Sequence, residues 1–205
     1  MSYQVIFTIA RMNPPTPGHF SLIQKMLEEA IRHDVIKVNI ILSSKTDTKK
    51  NPLEPEEKKY LLEEYGIPWI KHQMSGRADD IAVNIIMAHE YSKGNDLWPA
   101  IRGLLDGRTK NERALFVTGD TQFPFDSTVD ILLYDRTKNP ISGTLVRAIG
   151  WLSLPALSSL YQPFGLSQKE VYIMYRAIRD LDTPTEENLI IAREFIRERY
   201  SLRGS

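Results

Sequence analysis

The chain is expected to fold as an α/β protein: a parallel sheet with helices on both faces, followed by a helical C-terminal tail. Three observations predict this. Over residues 1–150, short apolar runs rich in β-branched residues alternate with segments of helical periodicity. After Trp151 the strand signals stop and only helical patterns follow. The chain has 205 residues, 42% of them hydrophobic, enough for a real core. The expected division is a sheet domain over residues 1–150 and a helical extension over 151–205 packed on it.

Residues 3–10 form a short apolar run and read as a buried strand. Asn13-Pro14-Pro15-Thr16-Pro17-Gly18 cannot be helix interior, because its prolines remove donors and fix φ. A helical pattern then runs from about residue 19 to 33, with Phe20, Ile23, Met26, Leu27, Ala30 and Ile31 on one face. Residues 35–42 read as the second strand and the lysine-rich stretch 43–53 as a loop. Pro55 opens a helix at the first-turn position that proline favours, ending near Gly66. Residues 69–74 are expected as a short strand. Residues 79–93 are expected as a helix with acidic residues at its start. A short helix is expected within 97–105, strands over 114–118 and 129–134, and a helix start over 142–150. The tail reads as helices over 155–161, 167–181 and 185–200, with Ser167 and Glu170 forming a capping box.

Charge and composition exclude several classes. Lys plus Arg equals Asp plus Glu at 26 each, so the chain lacks the basic excess of a general nucleic-acid binder. It has no cysteine, which rules out disulfides and thiolate metal sites. The N-terminus lacks the basic start and apolar stretch of a signal peptide, and no run of about 18 apolar residues suggests a membrane span. A cytoplasmic protein is the expectation.

The first strand leads through Arg11-Met12-Asn13-Pro14-Pro15-Thr16-Pro17-Gly18-His19 into a helix. A strand-to-helix turn in an α/β sheet is where phosphates bind, because free N–H groups and the helix dipole both favour an anion. Gly18 permits close backbone approach, His19 stands at the helix entrance, Thr16 offers a hydroxyl, and Arg11 adds a fixed positive charge. Alone, the segment also fits a plain rigid turn with a structural histidine. It is neither a Walker loop nor a Gly-x-Gly-x-x-Gly turn. Farther on, Ile141-Ser142-Gly143-Thr144-Leu145-Val146-Arg147 places two hydroxyls and an arginine at a helix start. Alone, that is equally an ordinary helix cap.

Together the two segments are more specific. The chain resembles the nucleotidylyltransferase superfamily, which carries a Thr/His-x-Gly-His turn near the N-terminus and an Ile-Ser-x-Thr-x-x-Arg segment near the end of the sheet. Thr16-Pro17-Gly18-His19 and Ile141–Arg147 match both, in the family's order. Gly119-Asp120 resembles the family's intervening Gly-Asp element. Arg136-Thr137 is similar to cytidylyltransferase members. Arg11-Met12-Asn13-Pro14 resembles the opening of nicotinamide-nucleotide adenylyltransferases, with Ala10 in place of the usual glycine. The resemblance covers about residues 3–150.

It implies a Rossmann-like fold and transfer of a nucleoside monophosphate without a covalent intermediate. It also implies that Thr16 and His19 contact the triphosphate, that Ser142, Thr144 and Arg147 hold the phosphates that leave as pyrophosphate, and that Arg11 binds a phosphate. Asp120, after Gly119, would lie near the sugar or the acceptor. Many members have histidine where Thr16 stands, so one cationic donor is missing here. Mg²⁺ is the expected metal, arriving with the triphosphate, since the sequence offers no protein metal cage. His33, His72 and His89 lack ligand spacing. Of Lys45, Lys49 and Lys50, Lys45 is the expected phosphate contact because it stands nearest the strand end. Trp69, Trp98 and Trp151 are expected in the core.

The expected partners are ATP or CTP and a small phosphorylated acceptor, with no nucleic acid and no membrane. Adenylyl transfer to an acceptor such as nicotinamide mononucleotide leads. Cytidylyl transfer to a small phosphorylated alcohol and adenylyl transfer to phosphopantetheine stand beside it. A nucleotide-sensing module is the non-enzymatic alternative. A class I aminoacyl-tRNA synthetase shares a similar first turn, but the chain has no Lys-Met-Ser-Lys-Ser segment. The terminal helices either close over the nucleotide or make the contact of a homo-oligomer, and the sequence leaves that choice open.

Overall fold

The fold is seen in a computed structural model, which describes residues 3–47, 49–93, 96–106, 108–109, 112–119, 124–135 and 141–201. Five strands form one parallel sheet: β1 (Tyr3–Ala10), β2 (Lys37–Leu42), β3 (Ala82–Met87), β4 (Arg113–Thr118) and β5 (Val129–Leu133). Their spatial order is β3-β2-β1-β4-β5. This is a Rossmann-like arrangement, and the strand order reverses between β1 and β4. The register sets Ala10 of β1 beside Leu42 of β2, and Phe7 of β1 beside Phe116 of β4.

The chain packs as two compact units. One comprises Met1–Arg11, Gly18–Lys45 and Ile67–Pro140; the other comprises Met12–Pro17, Thr46–Gly66 and Ile141–Ser205. The first holds the sheet. On one of its faces Phe7, Ile41, Ile86, Phe116 and Val129 pack with Ala100 and Ile101 of α4 (Trp98–Leu105). Phe125 stands edge-on to both Phe7 and Phe116. The alternate strand residues Ile6, Val38, Ile40, Ile85 and Leu115 are buried too, so the sheet is covered on both faces. Helix α1 (Pro17–His33) buries Phe20, Ile23, Met26, Leu27 and Ala30, as its stripe predicts. Ile31, expected on that stripe, is exposed: it lies at the stripe's edge in the last turn.

Two elements differ from the sequence expectation. Residues 69–74 are not a strand: Ile67–Gln73 is helix α3, reached from α2 (Pro55–Leu61) through a π-helical turn at Leu62–Gly66. Pro68 has no N–H to give to the residue four back, which suits a change of helical register there. The third strand lies instead in the segment expected as a helix, 79–93. Ala82–Met87 pairs along its whole length with β2, from Lys37↔Ala82 to Leu42↔Met87. A three-residue helical turn, Ala88–Glu90, follows.

The second unit is helical. Helix α5 (Gly143–Leu152) packs against α6 (Leu154–Tyr161), α7 (Gln168–Arg179) and α8 (Glu186–Ser201). A Cβ on Gly150 would meet Ile178 Cδ1 at 2.7 Å, so glycine permits the close passage of α5 and α7. The Ser167–Glu170 capping box forms as expected. In α8, Leu189 and Ala192 are buried, and Ile190 and Ile191 are exposed. Among the described residues no helix is long and apolar enough to cross a membrane.

Lys58 of α2 is fully buried, and desolvation lowers its pKa to about 8, against a smaller opposing pull from Glu54. The unfolded chain keeps this proton up to about pH 10.4. Between about pH 8 and that value the unfolded state binds more protons than the folded one, so this group makes stability rise with pH. From pH 7 to 9.5 the gain is about 1–2 kcal/mol. Urea unfolding at both pH values should show that gain in the native chain and not in Lys58→Met; identical pH dependence of the two would refute it.

Candidate functional site

The carboxyl edge of the sheet gathers one set of the expected residues. All five strands are parallel, so the segments leaving β1, β2 and β4 emerge on the same edge. Arg11 leaves β1 and is exposed, Lys45 follows β2 and is exposed, and Gly119 follows β4 and is half-buried. Gly18 and His19 sit half-buried in the first turn of α1, which holds no acidic residue to offset its positive end. This edge at the β1/β4 reversal is where open α/β sheets take ligands. Asp120 and the Arg136-Thr137 pair lie outside the described residues.

The edge also holds a pair that the sequence did not single out. Ser44 Oγ and His89 Nδ1 lie 2.7 Å apart, and the His89 backbone N–H donates to the same hydroxyl at 3.0 Å. They follow adjacent strands β2 and β3 but stand 45 residues apart in the chain. His33 instead meets the ring of Tyr3 edge-on at 4.6 Å and lies 3.6 Å from Glu29.

In the second unit, the first-turn residues Met12–Pro17 are firmly held. The Asn13 amide donates to the Leu53 carbonyl at 2.8 Å, and the Leu53 N–H donates to Asn13 Oδ1 at 2.8 Å. The hydroxyl of fully buried Tyr161, in α6, donates to the Pro15 carbonyl. Burial raises the pKa of that phenol, so it remains a donor. Met12 is fully buried with φ of 45°, a left-handed conformation that costs a non-glycine residue about 1–2 kcal/mol. Its neighbours must hold it there, and Asn13 and Tyr161 do so. Thr16 is 3% exposed, well within this turn.

The lysine loop is built as tightly. Asp47 bridges to Asn51, and its carboxylate accepts from the backbone N–H groups of Lys49, Lys50 and Asn51 and from the Asn51 amide. Partial burial opposes ionisation of Asp47, but these donors outweigh it and hold the carboxyl well below its ordinary range. Lys49 and Lys50 are thereby projected from a fixed backbone, both exposed.

Helix α5 brings the second motif to the same unit. Ser142 caps it, its hydroxyl accepting from Leu145 N–H at 3.1 Å, and no acidic residue occupies the first turn. The Arg147 guanidinium donates to Thr144 Oγ1 at 3.1 Å and to the Lys50 carbonyl at 3.1 Å. A Cβ on Gly143 would lie 3.2 Å from Arg147 Nη1, so a larger residue there would shift the guanidinium by a few tenths of an ångström. Thr144, Arg147 and Lys49 line a cavity of about 240 Å³ with Asp182, Thr185 and Asn188. Ser142, Thr144 and Arg147 thus stand within one helix start, and Lys49 shares a cavity with Thr144 and Arg147.

The tryptophans expected in the core are not buried. Trp98 is 39% exposed at the start of α4, edge-on to Phe125. Trp151 is half-buried with the Arg179 guanidinium 4.4 Å from its centroid, and Trp69 is half-buried. Each ring offers an apolar face and a polar edge, which suits the boundary better than the interior.

Among the described residues no cluster of His, Asp and Glu could hold a metal. The set around Arg147 is cationic and hydroxylic, with one carboxylate, Asp182. It suits a Mg²⁺ ion carried by triphosphate oxygens and water rather than one caged by protein. No protein-family model matches the chain, and no curated protein matches it in sequence. Function is therefore read from the chemistry of the site.

Proposed function

We propose that the chain is a nucleotidylyltransferase that transfers AMP from ATP to a phosphate-bearing acceptor such as nicotinamide mononucleotide and releases pyrophosphate. The observation that carries this is the β1–α1 turn at the strand-order reversal: Arg11 leaves the strand, and Gly18-His19 open a 17-residue helix whose first turn has no acid. The Ser142-capped start of α5, with Thr144 and Arg147, supports it.

In this reading an acceptor phosphate oxygen attacks the α-phosphorus, and the bond from that phosphorus to the bridging oxygen of the β-phosphate breaks. The electron pair leaves with pyrophosphate. The protein's part is placement and electrostatics. The α1 N–H groups and His19 donate to phosphate oxygens, and Arg11 offsets the repulsion between the two anionic reactants. Thr144 and Arg147 stabilise charge on the departing pyrophosphate. Bound Mg²⁺ would supply further neutralisation of the triphosphate.

The test is pyrophosphate release by the purified protein with Mg-ATP or Mg-CTP and each of nicotinamide mononucleotide, phosphopantetheine and phosphocholine. ATP with nicotinamide mononucleotide is expected to give the highest kcat/KM. Preference for CTP would overturn the adenylyl assignment. No pyrophosphate from any pair, with nucleotide nonetheless bound, would establish the sensing module instead.

A further inference from the structure

We propose that the cavity between the lysine loop, the start of α5 and the α7–α8 connection binds the phosphorylated polyol portion of a substrate, its phosphate on Lys49 and Arg147 and its hydroxyls on Asp182 and Asn188. This deepens the proposed reaction, because Thr144 and Arg147 belong to both, and it rests on that reading for its place in turnover.

Three features of the walls carry the assignment. First, Lys49 and Arg147 give two cations, and Thr144 and Thr185 give hydroxyls, the chemistry that receives a phosphate monoester. The Arg147 guanidinium is anchored by Thr144 and the Lys50 carbonyl, and the backbone that carries Lys49 is fixed by its N–H donating to Asp47. Second, Asp182 lines the same space, and among the described residues it has no ion-pair partner. A carboxylate there repels an oxyanion, so a pocket for pyrophosphate alone would be better without it. Its natural counterpart is a hydroxyl, and a carboxylate can accept from two at once. Asn188, both donor and acceptor, extends that polar wall. Third, the remaining lining is aliphatic apart from Thr183 (Ile178, Leu181 and Pro184), and among the described residues no aromatic ring lines it. A base would find no stacking partner, whereas about 240 Å³ accommodates a sugar phosphate.

The α7–α8 connection is thereby a specificity element. Thr185 stands at the start of α8, its carbonyl accepting from Leu189 N–H at 3.0 Å and its hydroxyl from Asn188 N–H at 3.4 Å. Asn188 projects from the first turn of that helix.

The probes are ribose 5-phosphate and pyrophosphate, titrated calorimetrically into the full chain and into Lys49→Ala and Asp182→Asn. Lys49→Ala should weaken both ligands, roughly tenfold each. Asp182→Asn should weaken ribose 5-phosphate by a similar factor and leave pyrophosphate unchanged or tighter. If ribose 5-phosphate does not bind, or if Asp182→Asn leaves its affinity within twofold, the polyol assignment is wrong. If only pyrophosphate binds, the cavity is a product pocket and the assignment is equally overturned. Both side chains are exposed, so both variants should keep the native thermal midpoint; should Lys49→Ala not, Lys49→Gln replaces it in the same comparison. Binding is read without turnover. Ribose 5-phosphate bound by a chain that releases no pyrophosphate would refute the transferase and keep the site, and turnover without such binding would do the reverse.

Discussion

Arg147→Ala is expected to lower kcat for pyrophosphate release by about 10²–10³-fold, with a smaller change in KM, because the charge it opposes grows as pyrophosphate departs. The guanidinium is held in place by Thr144 and by the Lys50 carbonyl, so in the proposed reaction it would meet the phosphates already oriented. Arg147→Lys should recover little of the loss: a lysine keeps the charge but cannot make that forked pair of contacts. His19→Ala, at the start of α1, should cost a similar factor. The decisive comparison is the double variant. If His19 and Arg147 serve one transition state, their losses are far from additive in free energy, and the double variant falls at most about tenfold below the worse single one. Fully multiplicative losses would mean that the two segments act in separate events. Far-ultraviolet circular dichroism of each variant guards against reading misfolding as lost chemistry.

Much of the sheet could be read from the chain. β1 is a plain apolar run, and its first-turn prolines and glycine mark where α1 starts. Helix starts were legible at two caps, Ser142 before α5 and Ser167 before α7, but not at Ser153, which caps α6 ahead of the expected start at residue 155. The third strand was not legible. Its last three residues, Ile85, Ile86 and Met87, are buried in succession and so lose the alternation that identifies a half-buried strand, and Asp79-Asp80 before it mimics an acidic helix start. Its identity rests on six pairings with β2, more than 40 residues earlier, which no local window contains. Conversely, Trp69-Ile70 looks like strand because of its composition, yet it is the continuation of a helix that began at Pro55.

The candidate site shows the same division. Residue types and motif order singled out Ser142, Thr144 and Arg147, which stand within one helix start. What the sequence did not contain was the loop's geometry. Lys45 is nearest the end of β2 in the chain, but Lys49 is the lysine that lines the cavity with Arg147, because Asp47 turns the loop and Asn51 closes it. Asn13 is a further case. Within the motif it reads as one turn residue among prolines, and its hydrogen-bonding partner lies 40 positions away.

That partnership makes Asn13→Ala the most destabilising single change expected here. Asn13 is 5% exposed and Leu53 is fully buried. The amide of Asn13 satisfies both the N–H and the carbonyl of Leu53. Alanine would leave two buried backbone groups unpaired, at about 1–3 kcal/mol each, so urea unfolding should register a loss of about 2–5 kcal/mol. Asn13→Asp separates this polar account from simple loss of volume. The introduced carboxylate still accepts from the Leu53 N–H but, when ionised, faces the Leu53 carbonyl with no proton to donate. Protonation restores that donor, and burial and the carbonyl both favour the neutral form, so the carboxyl's pKa is raised in the folded state. A raised folded pKa gives stability that is present below the unfolded value and lost as pH rises through the folded one. The gap between the native chain and Asn13→Asp should therefore be smaller at pH 4.5 than at pH 7.5, while the gap to Asn13→Ala stays constant. A pH-independent deficit in Asn13→Asp would show that the reciprocal pair does not hold the first turn to the lysine loop. Tyr161, donating to Pro15 two residues farther along, would then be left as the principal support of that turn.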